Sequence, residues 1–327
     1  MESSNRSLRF INREQTILKA KRKTKADLAV RSLLLLLAAI SASAVIFIVV
    51  FIAIKGIEPF VKGYTIEGVE YHVSFWHFLF GTTWEGGTAV YGAGYIIVNT
   101  IYITLLSMLL TAPISILTAL VIVKMSPRPI GAFLNGVIEI LASVPSVIFG
   151  MFGQAMVTNW VKSLCNLFHY QSAGGLSTFA VVIVLTMMSM PSVTMLSITA
   201  LKSVNHNLEL GSLALGASKS ETNFRVVLTS AKSGIFAGLI LGVSRALGEA
   251  TAVTMVCGNA GSGPNFNPFD TTRTLTTTML QGLSEASGLK YDIKFSVGLL
   301  LIFIILLSNL LLSFINNRIS RGMKNAR

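Results

Sequence analysis

Charged side chains are scarce, 12% of 327 residues, against roughly 25% in soluble domains. That shortage excludes a globular protein with an ordinary water-facing surface. Cysteine is scarcer still. Cys165 and Cys257 stand far apart without flanking partners, which excludes a disulfide framework and a cysteine-based zinc site. The four histidines, His72, His77, His169 and His206, show no H-E-x-x-H spacing and read as solvated or interfacial side chains in loops. There is no glycine-rich phosphate loop ending in Gly-Lys-Ser/Thr. The nearest imitation, Gly258-Asn-Ala-Gly-Ser-Gly263, lacks the lysine. No nucleophile and base are paired. The expectation is a chain that is not an enzyme and uses no cofactor or metal.

What is present is apolar sequence in long runs, with a mean hydropathy of +0.69. About 20 apolar residues in a helix cross a bilayer core. Uncharged or nearly uncharged runs lie at Ser32–Ile54, Tyr95–Val123, Ile130 to about Met151, Leu176–Leu201, Gly234–Cys257 and Phe295–Ile315. The expected fold class is all-α: a polytopic membrane protein with six transmembrane helices. Pro113, Pro145 and Pro191 fall inside these runs, where each removes a backbone donor and favours a kink. The organisation expected is a basic N-terminal segment, 1–31, followed by a six-helix transmembrane domain, 32–327. The first apolar run is too long for a secretory signal and reads as an uncleaved helix.

Lysine and arginine set the orientation, because they are retained on the cytoplasmic side. Segments 1–31, 124–129, 202–232 and 316–327 hold nineteen of them, whereas the alternate loops 55–94, 152–175 and 258–294 hold six. Both termini are therefore expected in the cytoplasm, with 202–232 an intracellular loop. The basic N-terminus suits contact with anionic lipid. It lacks the aromatic interleaving or zinc spacing of a nucleic-acid binder, so no nucleic-acid partner is expected.

Ionisable groups within a span are costly, about 2.5–3.5 kcal/mol each at a helix centre, and mark a pair or a site. Arg245 and Glu249 are spaced i, i+4 in the fifth run, a separation that lets two side chains meet on one helix face. Two readings follow. The two charges neutralise each other and hold helices together, or Arg245 presents its guanidinium donors to a passing anion while Glu249 positions it. Glu139, six residues before Pro145, is a third candidate for the pathway, with Arg245 as its simplest partner.

The loop 202–232 carries the densest pattern. Leu208, Leu210, Leu213 and Leu215 precede Gly216, a helix C-terminal breaker. Ser218-Lys-Ser-Glu221 then has the S-x-x-E spacing of a capping box, ahead of Phe224, Val226, Val227 and Leu228. The expected shape is helix, glycine turn, helix. Such an amphipathic elbow either docks in a groove of a partner protein or lies on the membrane surface, and its few basic residues favour the protein.

The stretch Leu213-Ala-Leu-Gly-Ala-Ser-Lys-Ser-Glu-Thr222 resembles the ATPase-docking loop of ABC-importer permeases. Arg245-Ala-Leu-Gly-Glu249 is similar to a signature of oxyanion importers, and with Ser143-Val-Pro-Ser-Val-Ile-Phe-Gly150 and Gly282-Leu-Ser-Glu-Ala-Ser-Gly288 it most resembles the phosphate permeases of the PstC type. The resemblance covers about residue 75 to the C-terminus. It implies the ABC importer type I permease fold, in a bacterial cytoplasmic (inner) membrane. It also implies a PstA-type permease partner, two PstB-type ATPase subunits and an external PstS-type phosphate-binding protein. The coupling positions would be Glu209, Leu213, Gly216, Ala217, Ser218 and Glu221; the substrate pathway would hold Arg245, Glu249 and Glu139. Two departures stand out. The family's glutamate position is Leu210, with Glu209 one residue early, and Thr229 replaces the proline expected after Leu228. Sulfate and molybdate permeases share Arg-x-Leu-Gly-Glu, and an ATP-independent anion transporter is a further alternative.

Overall fold

In the computed structural model of the chain, the backbone is described for residues 2–66, 69–85 and 89–324, and side chains for 27, 28, 30–65, 70–85 and 89–318. The basic side chains from Arg6 to Lys25, on which the lipid-contact expectation rests, lie outside the described residues. The chain divides into two compact units, Met1–Ile54 and Lys55–Arg327. In the first, α1 (Glu2–Val61) begins and leaves Leu33–Leu37 and Val45–Phe51 exposed. That is how a single helix behaves when lipid is its solvent.

The second unit opens with the end of α1 and two short hairpins, β1 (Tyr64–Ile66) with β2 (Val69–Tyr71) and, after α2 (Phe75–Phe80), β3 (Trp84–Glu85) with β4 (Val90–Tyr91). These are additions to an otherwise helical molecule. Next come α3 (Gly94–Leu120), a π-helical turn Val121–Met125, α4 (Arg128–Ser143), α5 (Ser146–Phe152), a second π turn Gly153–Val157, and α6 (Thr158–Leu167). After α7 (Thr178–Lys202) the elbow is built by α8 (His206–Ala214), α9 (Lys219–Glu221) and a third π turn, Thr222–Val227. The chain then continues through α10 (Leu228–Gly248), α11 (Thr251–Val256), α12 (Leu275–Leu280) and α13 (Leu289–Lys324).

Five stretches are long and apolar enough to span a membrane: Val30–Val61, Gly94–Met125, Thr178–Lys202, Lys219–Gly248 and Leu289–Arg318. The sixth is a bent pair, Arg128–Ser143 with Ser146–Leu167, turned by 93°. The kink expected at Pro145 is present as this break in the third span. Pro145 has no N–H to continue α4, and it holds Val144 extended (φ −66°, ψ 127°). Pro113 and Pro191, by contrast, sit within the unbroken α3 and α7.

α7 is central, packed against α3 and α10, which also touch each other, and α10 packs on α13 as well. In lipid there is no hydrophobic force between helices, so close approach and polar contact hold them. α10 comes close to α7 at Gly234 and at Gly242: a Cβ would lie 2.7 Å from Ala200 Cβ at the first and 2.7 Å from Val193 Cγ2 at the second. The α3–α7 seam is rich in buried hydroxyls. Thr100, Thr104, Ser107 and Thr111 on α3 donate to carbonyls of their own helix at 2.7–2.9 Å, which satisfies the groups without solvent. Ser115 to the Met190 carbonyl (3.2 Å) and Thr186 to the Ser107 carbonyl (3.3 Å) cross between the helices. Beneath the elbow an apolar cluster of Leu120, Ile122, Ile198, Leu201, Val227 and Ile235 joins the ends of α3, α7 and α10.

Candidate functional site

Arg245 lies in the last turn of α10, where a cation complements the helix dipole. Its Nη1 donates to Ser192 Oγ on α7 at 2.8 Å. One residue earlier, Ser244 Oγ donates to Asn309 Oδ1 on α13 at 2.6 Å. Adjacent positions therefore tie α10 to two neighbours, with the guanidinium on the α7 side.

The i, i+4 pairing of Arg245 with Glu249 does not form. Helix α10 stops at Gly248 and Glu249 is extended (φ −76°, ψ 120°), so its side chain is not stacked over the preceding turn. Instead Glu249 Oε1 accepts the Ala252 N–H at 3.0 Å, the role of an N-terminal cap for α11. Its carbonyl accepts Thr276 Oγ1 of α12 at 2.8 Å. The expected fifth span to Cys257 is accordingly interrupted. Half-helices with free ends inside a membrane fold are a recurrent way to present polar backbone to a solute.

Glu139 is also elsewhere than expected. It is exposed on α4 and accepts Asn135 Nδ2 at 2.6 Å, a local i, i+4 contact rather than one with Arg245. The three candidate pathway residues are thus not brought into one cluster. Among the described residues no salt bridge to Arg245 is present.

The elbow forms as its sequence requires. Asn205 Oδ1 caps α8 by accepting the Asn207 N–H at 2.9 Å. The helix ends where Gly216 turns left-handed (φ +89°), with Gly216 N donating to the Leu213 carbonyl at 3.0 Å and Ala217 N to the Ser212 carbonyl at 3.2 Å. Ser218 Oγ then accepts the Glu221 N–H at 3.2 Å while Glu221 Oε2 accepts the Ser218 N–H at 3.1 Å, completing the capping box. The hydroxyls of Ser212 and Thr222, 2.9 Å apart, join the two arms. α8 buries none of its residues, and Leu215 at the tip is 91% exposed. Leu208, Leu210, Leu213 and Phe224 are exposed around it. Glu209 is the exception: it pairs with Lys124 at the end of the α3 span, with His206 Nδ1 3.7 Å away.

Two functional-looking groups escape a reading of the sequence. Ser192 is one; its signal is only that it follows Pro191 on a helix that faces α10. Arg273 is the other, a lone arginine in the threonine-rich stretch Thr271–Thr278. It is 8% exposed; its Nη2 donates to the Asn259 carbonyl at 2.9 Å and its Nε has no partner. Burial pushes the guanidinium pKa down, partly offset by nearby Tyr95 and Cys257.

Several membrane helices around a central α7, one broken span, and an exposed apolar elbow between two spans define an ABC importer permease. The same fold is seen in a bacterial ABC transporter involved in the import of the acidic polysaccharide alginate (TM-score 0.56, 16% identity, 86% of this chain and 95% of that one) and in the MetNI methionine ABC transporter (TM-score 0.52, 14% identity, 68% and 94%). Residues 111–325 match the family of binding-protein-dependent transport system inner membrane components, and the chain belongs to that family. Its relatives include the probable ABC transporter permease protein YqgH of Bacillus subtilis, 32% identical over 286 residues (86% of this chain, 88% of the relative). The phosphate transport system permease protein PstC of Pasteurella multocida is 31% identical over 246 residues (69% and 75%). The protein is a multi-pass membrane permease component of an ABC importer.

Proposed function

We propose that this chain is a PstC-type permease that forms half of the path for inorganic phosphate, in an inner membrane with both termini cytoplasmic. The observation that carries the reading is Arg245: a cation on a membrane-spanning helix, oriented by the neutral Ser192 hydroxyl and lacking a salt-bridge partner among the described residues. A guanidinium so placed is costly unless an anion completes it, and its donor fork fits a tetrahedral oxyanion. The kinship with PstC proteins supports phosphate as the anion. Glu249 contributes by capping α11, which fixes the break next to Arg245. Glu139, on the exposed face of α4, remains a secondary pathway candidate.

The other half of the path is a PstA-type permease, with two PstB-type ATPases on the elbow side and a PstS-type binding protein opposite. The elbow supports this assembly, since a carrier driven by a gradient has no use for an exposed apolar dock. Ala217, Ser218 and Glu221 shape the turn, Leu213 and Leu215 present the contact, and Glu209 carries movement of the elbow to α3 through Lys124. In the proposed cycle, ATP closes the ATPase pair, the elbow moves with it, and α10 opens Arg245 toward the binding protein; hydrolysis and product release reset the path inward.

The test is ATP-driven uptake by the reconstituted complex. Arg245→Ala removes a charged contact of about 2–5 kcal/mol, so uptake of radiolabelled phosphate is expected to fall about 30-fold or more with assembly intact. Full uptake by the variant overturns the anion role. Equal competition by sulfate or molybdate moves the cargo to those anions.

A further inference from the structure

The two interrupted spans meet. α5, which begins after the break at Pro145, packs along α11, which begins after the break at Glu249. Two glycines set the contact. A Cβ at Gly150 would lie 2.8 Å from Ala252 Cα and 2.7 Å from Met255 Sδ, and one at Gly153 would lie 3.0 Å from Val256 Cγ1 and 2.5 Å from Val184 Cγ2 of α7. Gly150 thus faces Ala252 and Gly153 faces Val256, so the two segments run side by side in the same direction. Their first residues, Ser146 and Thr251, fall within about one helical turn of each other. Phe149, Val157, Ala252, Val253 and Val256 are buried in one apolar cluster with α7, which leaves neither segment room to draw away from the other. Ala252 is also the residue whose N–H is accepted by Glu249 Oε1 at 3.0 Å. The backbone against which Gly150 lies is therefore the one that holds the Glu249 carboxylate, four residues from Arg245.

We propose that Gly150 is a positioning residue for the Arg245 site: by admitting the Ala252 backbone it keeps Glu249 engaged as the cap of α11, away from the guanidinium; for its solute this role rests on the phosphate reading. A Cβ at position 150 meets backbone, which cannot rotate aside, and so displaces the Ala252 N–H from Glu249 Oε1. The carboxylate then lacks its donor and turns to the nearest cation, Arg245. A carboxylate in the donor fork fills the place of a tetrahedral oxyanion, because both use the same paired N–H groups. Gly150 accordingly governs affinity for the anion rather than the drive that the elbow delivers, and it links the bend of the third span to the break in the fifth.

The test is KM against kcat for ATP-driven phosphate uptake by the reconstituted complex, with hydrogen exchange at the Ala252 amide as a second readout. Gly150→Ala is expected to raise KM at least about tenfold, the effect of losing one charge-assisted hydrogen bond, with kcat unchanged, and to speed exchange at Ala252. Glu249→Ala removes both the cap and the competing carboxylate, so adding Gly150→Ala to it should raise KM no further. A KM penalty for Gly150→Ala that is as large without Glu249 as with it would make Gly150 a packing residue and overturn the role. Gly150→Ala/Met255→Ala clears the thioether and keeps the contact with Ala252; it is expected to show the same rise in KM, and it serves where the single variant does not assemble. Failure of both to assemble, or an unchanged KM in an assembled variant, overturns the assignment. The exchange readout is independent of the cargo. Full uptake by Arg245→Ala rejects the anion reading, whereas faster exchange at Ala252 in Gly150→Ala still upholds the link between the two breaks.

Discussion

Helix α10 is bounded by two breaks of opposite construction. Before it, the elbow is held by its own neighbourhood: Ser218 with Glu221, Ser212 with Thr222, and Asn205 with Asn207 are all within ten residues of each other. After it, the interruption at Glu249 is stabilised by groups far along the chain, Ser192 of α7 bonding Arg245 and Thr276 of α12 bonding the Glu249 carbonyl. A locally closed elbow moves as one body. A break that borrows its partners from other helices changes when those helices shift. In the proposed cycle the two ends of α10 would act as a handle and a responsive joint.

The sharpest way to break the handle is Gly216→Pro. The ring cannot adopt φ +89° and removes the N–H that reaches the Leu213 carbonyl, a change of about 3 kcal/mol or more. The expected result is a permease that inserts but no longer co-purifies with its ATPase or stimulates ATP turnover; normal stimulation would show that the turn is dispensable. Next in size is the tether between handle and bundle. Lys124→Ala leaves the partly buried Glu209 without its lysine, at about 1–3 kcal/mol, and faster hydrogen exchange in α8 would report it. The charge-swapped pair Lys124→Glu/Glu209→Lys should restore slow exchange.

Smaller effects distinguish the two breaks. Ser218→Ala removes a cap worth about 1 kcal/mol and should loosen only residues 216–222 in hydrogen exchange. Ser192→Ala, also about 1 kcal/mol, touches α7 yet should alter transport more than stability, because it frees the Arg245 guanidinium. A stability loss with unchanged phosphate uptake would make Ser192 a packing residue.

The elbow is legible in the sequence because its chemistry is local: the glycine, the serine and the glutamate three residues on fix the turn whatever surrounds them. The bend at Pro145 is half legible, since proline marks the place but gives no angle. The interruption at Glu249 is hidden. Arg245 and Glu249 have helical spacing, and the local signals, Gly248 and the β-branched Thr251, Val253, Thr254 and Val256, weaken a helix without fixing where it stops. It is decided by Thr276, which reaches it from across the fold, and by the choice of Glu249 to cap Ala252 rather than to meet Arg245. Glu139 shows the converse. Its long-range partner was the expectation, and a local one, Asn135, prevails.

The hydroxyls between α3 and α7 carry one more consequence. Four of those on α3 are satisfied by their own helix, and among the described residues two such bonds cross the seam. A small axial slip of one rod along the other would therefore rupture few links and strand few unsatisfied donors. The seam is therefore expected to yield to shear more readily than to separation.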